Sequence, residues 1–316
     1  MKLQYRHRIE YAVLRTIEWF VRVLPESVLP PLAKTIAFVV YHLIGYRRAV
    51  ASANLRIAFP EKSDEERGNI ARDSYYHFAL LILEFMKLPS WSPERLGEMV
   101  EIENPELLEN LAGQNRGVII SSGHFGNWEV AIAFLATHYW KGGAVIQQRQ
   151  TNRLVDAWSA EHRRCWRLEI IYSRGAVSRG LAVLGRKQLL ALLGDQDGGR
   201  RGVFVPFFGK MASTPMGAAI LHLRSKSPLV VGACVRVGKF KYKGYLIPLE
   251  TAPDWDVNRE NIEKITARMA AALERLIRKY PEQYLWMHRR WKTPVPSERS
   301  SDSSRTPGKA RLNPYQ

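Results

Sequence analysis

Short apolar runs alternate with helical patterns through the middle of this 316-residue chain, and that alternation restricts the possible folds more than any other feature. Five runs have the length and composition of buried strands: 117–121, 143–147, 168–173, 189–195 and 229–237. Four helical patterns lie between them, at 127–139, 151–166, 175–186 and 214–225. Because parallel strands need a crossover that is usually a helix, this order predicts an α/β fold with a layered, mostly parallel sheet flanked by helices.

The charge of the chain is strongly basic, with 47 lysines and arginines against 30 acidic residues and a formal net charge of +17. Such an excess favours an anionic partner: nucleic acid, an anionic membrane or an acidic protein. Nucleic acid is not expected, because the sequence contains no DNA- or RNA-binding motif. The two cysteines are too few for a disulfide framework and are typical of a reducing compartment.

The first sixty residues combine basic and apolar character, with nine lysines and arginines, three acids and apolar runs at 11–24 and 35–46. The charge-free run 35–46 would rise roughly 18 Å as a helix, short of the ~30 Å hydrocarbon core, so no membrane span is predicted. An arginine-rich apolar helix with aromatic residues instead favours a monotopic segment that lies in the membrane interface. The alternative is an ordinary helical pair packed on the main domain.

The ends of the chain differ from its middle. The N-terminal part is predicted to be helical, and Ser63 and Glu66 form a capping box that begins one of its helices. A long amphipathic helix at 258–280 closes the α/β region, and the sequence after it loses apolar periodicity. The expected organisation has three parts: an N-terminal helical, membrane-associated region at 1–90, a catalytic domain at 91–296 and a disordered tail at 297–316.

The stretch 117-GVIISSGHFGNWEV-130 places His124 just after a predicted strand and Glu129 in the first turn of the next helix. An open α/β sheet holds its ligand outside the carboxyl ends of its strands. An imidazole there is a candidate general base, and Glu129 is the candidate partner that fixes its tautomer. The alternative is a structural histidine that caps the helix. A metal site is not expected, because the spacing is not His-Glu-x-x-His and no cysteine cluster is present.

No serine near His124 lies in a nucleophile elbow, and a His–carboxylate pair without a nucleophile favours direct activation of an acceptor hydroxyl. Arg149 ends the second predicted strand, where its guanidinium can hold a phosphate bidentately; the alternative is a surface pair with Asp156. Asp195 and Asp197 end a third strand on the same edge. They are candidates to orient Arg149 or the histidine, or simply to cap a turn.

The H-x-x-x-x-E block at 124–129 resembles the signature of the glycerolipid and lipid A acyltransferase superfamily. Four further stretches resemble the lipid A late acyltransferase family specifically: 54-NLRIAFPEKSDEE-66, 149-RQTNRLVDAW-158, 194-GDQDGGRRGVFVPFFGKMAST-214 and 281-PEQYLWMHRRWK-292. The resemblance covers about residues 46 to 293. Where family members often have an aromatic residue and a proline beside the arginine, this chain has Gln148 and Gln150 around Arg149.

This resemblance implies an O-acyltransferase that is a peripheral or monotopic protein on the cytoplasmic face of the inner membrane. Its donor would be a fatty acyl thioester of acyl carrier protein, its acceptor a hydroxyl of a lipid A precursor, and it would need no cofactor. His124 would be the base and Glu129 its partner. The candidate substrate-binding residues are Gly126, Asn127, Arg149, Asp195 and Asp197.

The tetrahedral oxyanion of such a reaction needs preorganised donors, and the backbone amides of residues 123–127 are the candidates. Two alternatives to the lipid A enzyme stay open. One is an acyltransferase for another membrane lipid, such as a lysophospholipid or a glycolipid. The other is a catalytically silent membrane-binding protein of the same fold.

Overall fold

The computed structural model of the chain describes residues 2–251 and 255–296, so the tail predicted at 297–316 lies outside the described residues. The α-helices within these ranges are α1 (Lys2–Val23), α2 (Leu29–Phe38), α3 (Arg48–Ala58), α4 (Asp64–Lys87), α5 (Pro93–Met99), α6 (Pro105–Gly113), α7 (Trp128–His138), α8 (Arg153–Arg164), α9 (Ala176–Gly185), α10 (Gly217–Ser225) and α11 (Arg259–Lys279). The strands are β1 (Val100–Ile102), β2 (Val118–Ser122), β3 (Gly143–Gln147), β4 (Leu168–Tyr172), β5 (Leu189–Leu193), β6 (Val203–Phe207), β7 (Lys210–Thr214), β8 (Leu229–Gly238) and β9 (Lys241–Pro248).

One seven-stranded sheet forms the centre of the protein, in the order β1-β9-β8-β2-β5-β3-β4, and β6 and β7 form a separate hairpin. The described strand pairs of the large sheet are parallel except for β8 and β9, which are antiparallel. The prediction of an α/β fold with a mostly parallel, helix-flanked sheet is confirmed, and the five predicted strands correspond to β2, β3, β4, β5 and β8. The sequence did not indicate β1, β9 or the β6–β7 hairpin. Because β7 extends to Thr214, α10 begins at Gly217 and not at the predicted position 214.

The order of the strands creates a topological switch point between β2 and β5. The chain leaves β2 through α7 and enters β3 on one side, whereas it leaves β5 through the hairpin and α10 and enters β8 on the other. Right-handed crossovers in opposite directions place their helices on opposite faces of the sheet. At such a point the two helices diverge and leave a crevice at the carboxyl ends of the strands, where α/β proteins hold their ligands.

The N-terminal helices pack on this α/β core, and the predicted helical character of the region is confirmed. The capping box is present: the Ser63 hydroxyl accepts from the Glu66 amide at 3.1 Å, and the Glu66 carboxylate accepts from the Ser63 amide at 2.7 Å. Glu18 of α1 is buried and pairs with His162 of α8 at 2.8 Å. The buried Lys87 ammonium donates to the Arg22 and Leu24 carbonyls at the end of α1, at 2.9 and 2.6 Å. Helix α1 is therefore fixed to the body by buried polar contacts as well as by packing.

The same N-terminal helices expose many large apolar side chains. Those exposed are Tyr5, Ile9, Val13, Ile17, Trp19, Phe20, Val23, Phe38, Leu43, Ile44 and Tyr46. The helical stretch Glu26–Ile44 is mostly exposed and, by length and composition, is long and apolar enough to cross a membrane. The charge-free run 35–46, expected to be too short to cross a membrane, overlaps the end of this longer stretch, which begins at Glu26 and includes Lys34.

Candidate active site

His124 and Asp195 meet at the switch point, each just after the end of a neighbouring strand. Asp195 follows β5 and accepts two hydrogen bonds from His124, from Nδ1 to Oδ1 and from the backbone amide to Oδ2, both at 2.9 Å. Gly123 allows this approach, because a Cβ at that position would lie 3.2 Å from the Asp195 side chain and 2.8 Å from Leu273. The loop after β2 is thus shaped around the His124–Asp195 pair.

The charge of this pair is set by its surroundings. Burial raises the pKa of Asp195, but the histidine and Arg290 outweigh it and bring that pKa below the usual range. The carboxylate is therefore ionised and holds the Nδ1–H tautomer of His124, which leaves the lone pair on Nε2. Nε2 faces the side-chain amide of Gln196 at 3.3 Å, and the Trp128 ring packs edge-on against the imidazole at a centroid distance of 5.1 Å. The imidazole is oriented to take a proton at Nε2.

Glu129, the expected partner of the imidazole, has different neighbours in the structure. Its carboxylate accepts from Arg163 of α8 at 2.5 and 3.0 Å and from the Trp128 indole at 3.0 Å. Burial lowers the pKa of Arg163, but Glu129 outweighs that effect and raises it, so the two form a charged pair. The contact that Glu129 was expected to make with the imidazole is made by Asp195, because strand order brings β5 next to β2.

Gly126 and Asn127 pack against protein and not against the crevice. Gly126 has a φ of +63°, and a Cβ there would lie 2.0 Å from the Cys234 carbonyl oxygen, so the glycine is required by the fold. The buried Asn127 side chain caps α7 by accepting from the Val130 amide at 3.1 Å and donates to Glu84 at 2.8 Å. Neither residue lines the cavity beside His124.

The backbone amides of residues 124–127 are also occupied. They donate to the Asp195 carboxylate, Gly123 carbonyl, Gln283 carbonyl and Cys234 carbonyl, at distances of 2.9, 2.7, 3.0 and 2.7 Å. The expectation that this run of amides stabilises an oxyanion is wrong for these four, because each is already used to hold the loop.

Asp197 and Arg149 lie near the same crevice, but Asp197 is hydrogen-bonded within the protein and Arg149 is exposed. The Asp197 carboxylate accepts from the Thr293 hydroxyl at 2.9 Å, and its amide donates to Nε2 of His288 at 3.1 Å. Burial lowers the pKa of His288 to about 4, so this ring stays neutral and able to accept. Arg149 is exposed, with its guanidinium 4.0 Å from the centre of the Tyr172 ring. Asp156, the alternative partner of Arg149, accepts instead from the Tyr172 hydroxyl at 2.7 Å.

A cavity of about 560 Å³ opens beside His124. Trp128, Glu129, Arg163, Gln196 and Asp197 line its polar part. Most of the remaining wall is apolar and comes from the central strands and from α7, α9 and α10. A general base on the wall of a largely apolar cavity suits a reaction at the polar end of an aliphatic chain.

Comparison with known proteins agrees with this chemistry. The profile described as "Bacterial lipid A biosynthesis acyltransferase" matches residues 2–293. The chain belongs to this family. It is 27% identical to the lipid A biosynthesis palmitoleoyltransferase of Escherichia coli (strain K12) over 289 residues, covering 87% of this chain and 88% of the relative. It is 26% identical to the lauroyltransferase of the same organism over 280 residues, with 87% and 89% covered.

The family also contains enzymes with other acceptors in their names. A phosphatidylinositol mannoside acyltransferase of Mycolicibacterium smegmatis is 24% identical over 235 residues, covering 73% of this chain and 75% of the relative. The predicted family and the predicted enzyme class, an acyltransferase, are confirmed. The relatives differ in what they acylate, so membership alone does not choose the acceptor.

Three residues beside this acyltransferase's site were not among its predicted catalytic and substrate-binding residues. Gln196 lies between the two aspartates, and its amide gives no signal of acid–base chemistry because it is not titratable. Arg163 is separated from Glu129 by 34 positions and resembles any helical surface arginine. Arg290 is buried and donates to the Ser213 carbonyl at 2.5 Å and the Thr214 hydroxyl at 2.6 Å. These hydrogen bonds hold the WMHRRW motif against the end of β7.

Proposed function

We propose that this acyltransferase moves a fatty acyl chain from an acyl carrier protein thioester to a hydroxyl of a lipid A precursor, at the cytoplasmic face of the inner membrane. The observation that carries the proposal is that His124, paired with Asp195, lines a largely apolar cavity. The profile match over residues 2–293 and the names of the lipid A relatives support the choice of acceptor.

In the proposed reaction, Nε2 of His124 takes the proton of the acceptor hydroxyl as its oxygen attacks the thioester carbonyl carbon. Asp195 stabilises the imidazolium that forms, as a carboxylate does in a catalytic triad. When the tetrahedral intermediate collapses, the new C–O bond remains, the C–S bond breaks, and the imidazolium returns its proton to the departing sulfur. The side-chain amide of Gln196, at hydrogen-bond distance from Nε2, is our candidate donor to the oxyanion.

Glu129 and Arg163 line the cavity as a charged pair next to this centre. We propose that they hold Trp128 and the first turn of α7 against the reacting groups, with Trp128 packed on the imidazole. Arg149, exposed on the loop between the cavity-lining Gln148 and Gln150, is proposed to meet a phosphate of the acceptor.

Mass spectrometry of lipid A from cells with and without the gene tests this function. Loss of the protein should remove one acyl chain from lipid A, and its return should restore that chain. A second candidate acceptor, a mannosylated phosphatidylinositol or similar glycolipid, is favoured by the phosphatidylinositol mannoside relative. Unchanged lipid A with an acyl chain missing from another membrane lipid would favour that candidate.

The exposed apolar side chains of the N-terminal helices are proposed to attach the enzyme to the membrane. Replacing Ile9, Phe20 and Leu43 by serine removes side chains that are 49%, 54% and 72% exposed, so the fold should persist. Fully burying each such side chain is worth about 1.5–3 kcal/mol, so the triple variant should bind vesicles at least ~10-fold more weakly. Sedimentation with vesicles of anionic phospholipid measures this.

A matched control variant carries serine at Met211, Val237 and Val257, which are 40%, 55% and 45% exposed on other elements. It should bind vesicles like the unchanged protein. Equal binding of both triple variants would show that the N-terminal helices do not provide the attachment.

The positive charge of the protein is proposed to recruit acyl carrier proteins, which are acidic. Electrostatic steering fades as the Debye length falls from ~10 Å at 0.1 M salt to ~3 Å at 1 M. Raising salt in a detergent assay should therefore raise the apparent KM for the acyl carrier protein donor steeply, with little change in kcat. Reversing the exposed charges of Arg200 and Arg201, in the loop that continues from Asp197, should mimic high salt.

The control for that experiment reverses Arg259 and Lys264, two exposed cations on α11. These changes should leave the KM for the donor close to that of the unchanged enzyme. A KM that stays flat across the salt range would mean that the excess charge serves the membrane alone and that the donor is a different thioester.

A further inference from the structure

The cavity beside His124 extends over both faces of the sheet. In the β2–β5 register, Ile120 is opposite Ala191 and Ser122 is opposite Leu193, so these four side chains project to one face. Leu192, between them on β5, projects to the other face. All five residues nevertheless line the same cavity. The cavity therefore passes around the carboxyl ends of the strands instead of lying on one side of them.

The first part, which we call the α7 lobe, lies between the sheet and α7. It crosses several strands, since β8, β9 and β1 continue the same face through the pairs Gly232–Leu246 and Gly244–Ile102. Its apolar wall includes Ile120, Ala131, Leu135, Val145, Gly232 and Leu246.

The second part, the α9–α10 lobe, lies on the opposite face. Its wall has apolar side chains from two strands and two helices: Ile146, Leu192, Ala176, Val177, Ala218 and Leu221. Small residues leave the space, and a Cβ at Gly217 would meet its nearest neighbour, Leu192, only at 3.8 Å. None of these side chains can donate or accept a hydrogen bond, so the lobe suits an aliphatic chain and not a polar group.

The two lobes meet where the reaction takes place. His124 follows β2, whose helix α7 leaves on one face, and Asp195 follows β5, whose crossover through α10 leaves on the other. The divergence of these helices at the switch point opens a lobe on each side of the same catalytic pair. Acyl transfer between two amphiphiles requires the polar end of each chain to reach one base, and this geometry provides it.

Basic side chains stand beside one edge of the cavity. Gln148, Gln150 and Ser173 border the cavity at the ends of β3 and β4. The exposed guanidinium groups of Arg149 and Arg174 are their neighbours in the chain. Because Ser173 stands three residues before Ala176 of α9, which lines the α9–α10 lobe, this basic rim lies beside that lobe and suits a phosphorylated head group.

We propose that the cavity holds two aliphatic chains at once, the acyl chain of the thioester donor in the α7 lobe and a chain of the lipid acceptor in the α9–α10 lobe. The identity of the two chains rests on the proposed function. The existence of two chain-binding lobes does not, because it follows from the register and the cavity wall.

A matched pair of variants separates the lobes. Ala131 lines the α7 lobe and Ala176 the α9–α10 lobe, both are half-buried, and leucine at either position adds the same volume. Ala131→Leu should shift the preferred donor toward shorter acyl chains. Ala176→Leu should leave donor preference unchanged and raise the KM for the acceptor about tenfold, since a misplaced methylene-sized group in an apolar pocket has effects of this order. A shortened donor preference in Ala176→Leu, or no change in either parameter, would overturn the assignment.

A labelling experiment tests the two lobes without any turnover. The purified full chain is irradiated with dodecanoic acid that carries a terminal diazirine, and the labelled peptides are mapped. We expect labels on peptides of both lobes in the unchanged protein and loss of only the α9–α10 labels in Ala176→Leu. Labels confined to the α7 lobe would refute the proposal even if the protein acylates lipid A. Labels on both lobes would uphold the two sites even if the acceptor is a different lipid.

Discussion

Replacing His124 by alanine is expected to lower kcat by about 10²- to 10⁴-fold, the usual contribution of a positioned general base. The fold should persist, because His124 is partly exposed and the Asp195 carboxylate keeps the hydrogen bond from the backbone amide of residue 124. The KM values should change little, since the apolar walls that hold the chains are untouched. Steady-state kinetics with both substrates, together with circular dichroism and a thermal melt, measures these quantities.

His138→Ala is the matched control for that substitution. His138 is an exposed histidine at the end of α7, where its Nδ1 donates to the Phe134 carbonyl and its ring stacks on the Phe134 ring. Its replacement should leave kcat within about twofold. A folded His124→Ala enzyme that turns over at the unchanged rate would contradict the assignment of the base.

The second large effect is expected at Asp195. Asp195→Asn keeps the shape of the side chain but replaces an acceptor beside Nδ1 by an amide that can donate to it. That donation favours the tautomer with the proton on Nε2. A protonated Nε2 has no free lone pair and cannot take the proton of a hydroxyl. We expect kcat to fall by about 10²-fold or more, with the donor KM nearly unchanged.

Nitrogen NMR of histidine-labelled protein distinguishes this positioning role from a general structural one. In the unchanged enzyme the proton should reside on Nδ1 of His124, and in Asp195→Asn it should move to Nε2. Glu129→Gln, which removes the anionic partner of the Arg163 guanidinium, should lower kcat without moving that proton. If Glu129→Gln moved the proton and Asp195→Asn did not, Glu129 and not Asp195 would be the partner of the imidazole.

The contrast between these two carboxylates shows what sequence patterns can and cannot predict here. The five apolar runs indicated the strands that form the centre of the sheet, because a buried parallel strand needs such a run. They carried no information on strand order, and β5 inserts between β2 and β3. That insertion brings Asp195 to His124 across 71 positions, while Glu129, five positions away, turns toward α8.

The missed strands have equally physical reasons. β1 contains three residues, too few for any periodicity, and β9 begins with Lys241, Tyr242 and Lys243, a polar pattern that resembles a loop. Their burial comes from pairing with each other and with β8. The resemblance to acyltransferases located the motif residues in advance, but the roles of Gly126 and Asn127 in packing became visible only when the Cys234 carbonyl and Glu84 were in place.

The most direct test of the central claim, that His124 activates an acceptor hydroxyl for acyl transfer, is reconstitution with purified components. The enzyme, an acyl-acyl carrier protein and a lipid A precursor are incubated, and the mass of the lipid product is measured by mass spectrometry. The unchanged enzyme should add the mass of one acyl group in ester linkage, and His124→Ala should add it at least ~100-fold more slowly. A lipid that gains no acyl group with the unchanged enzyme, or gains it equally fast with His124→Ala, would contradict the account.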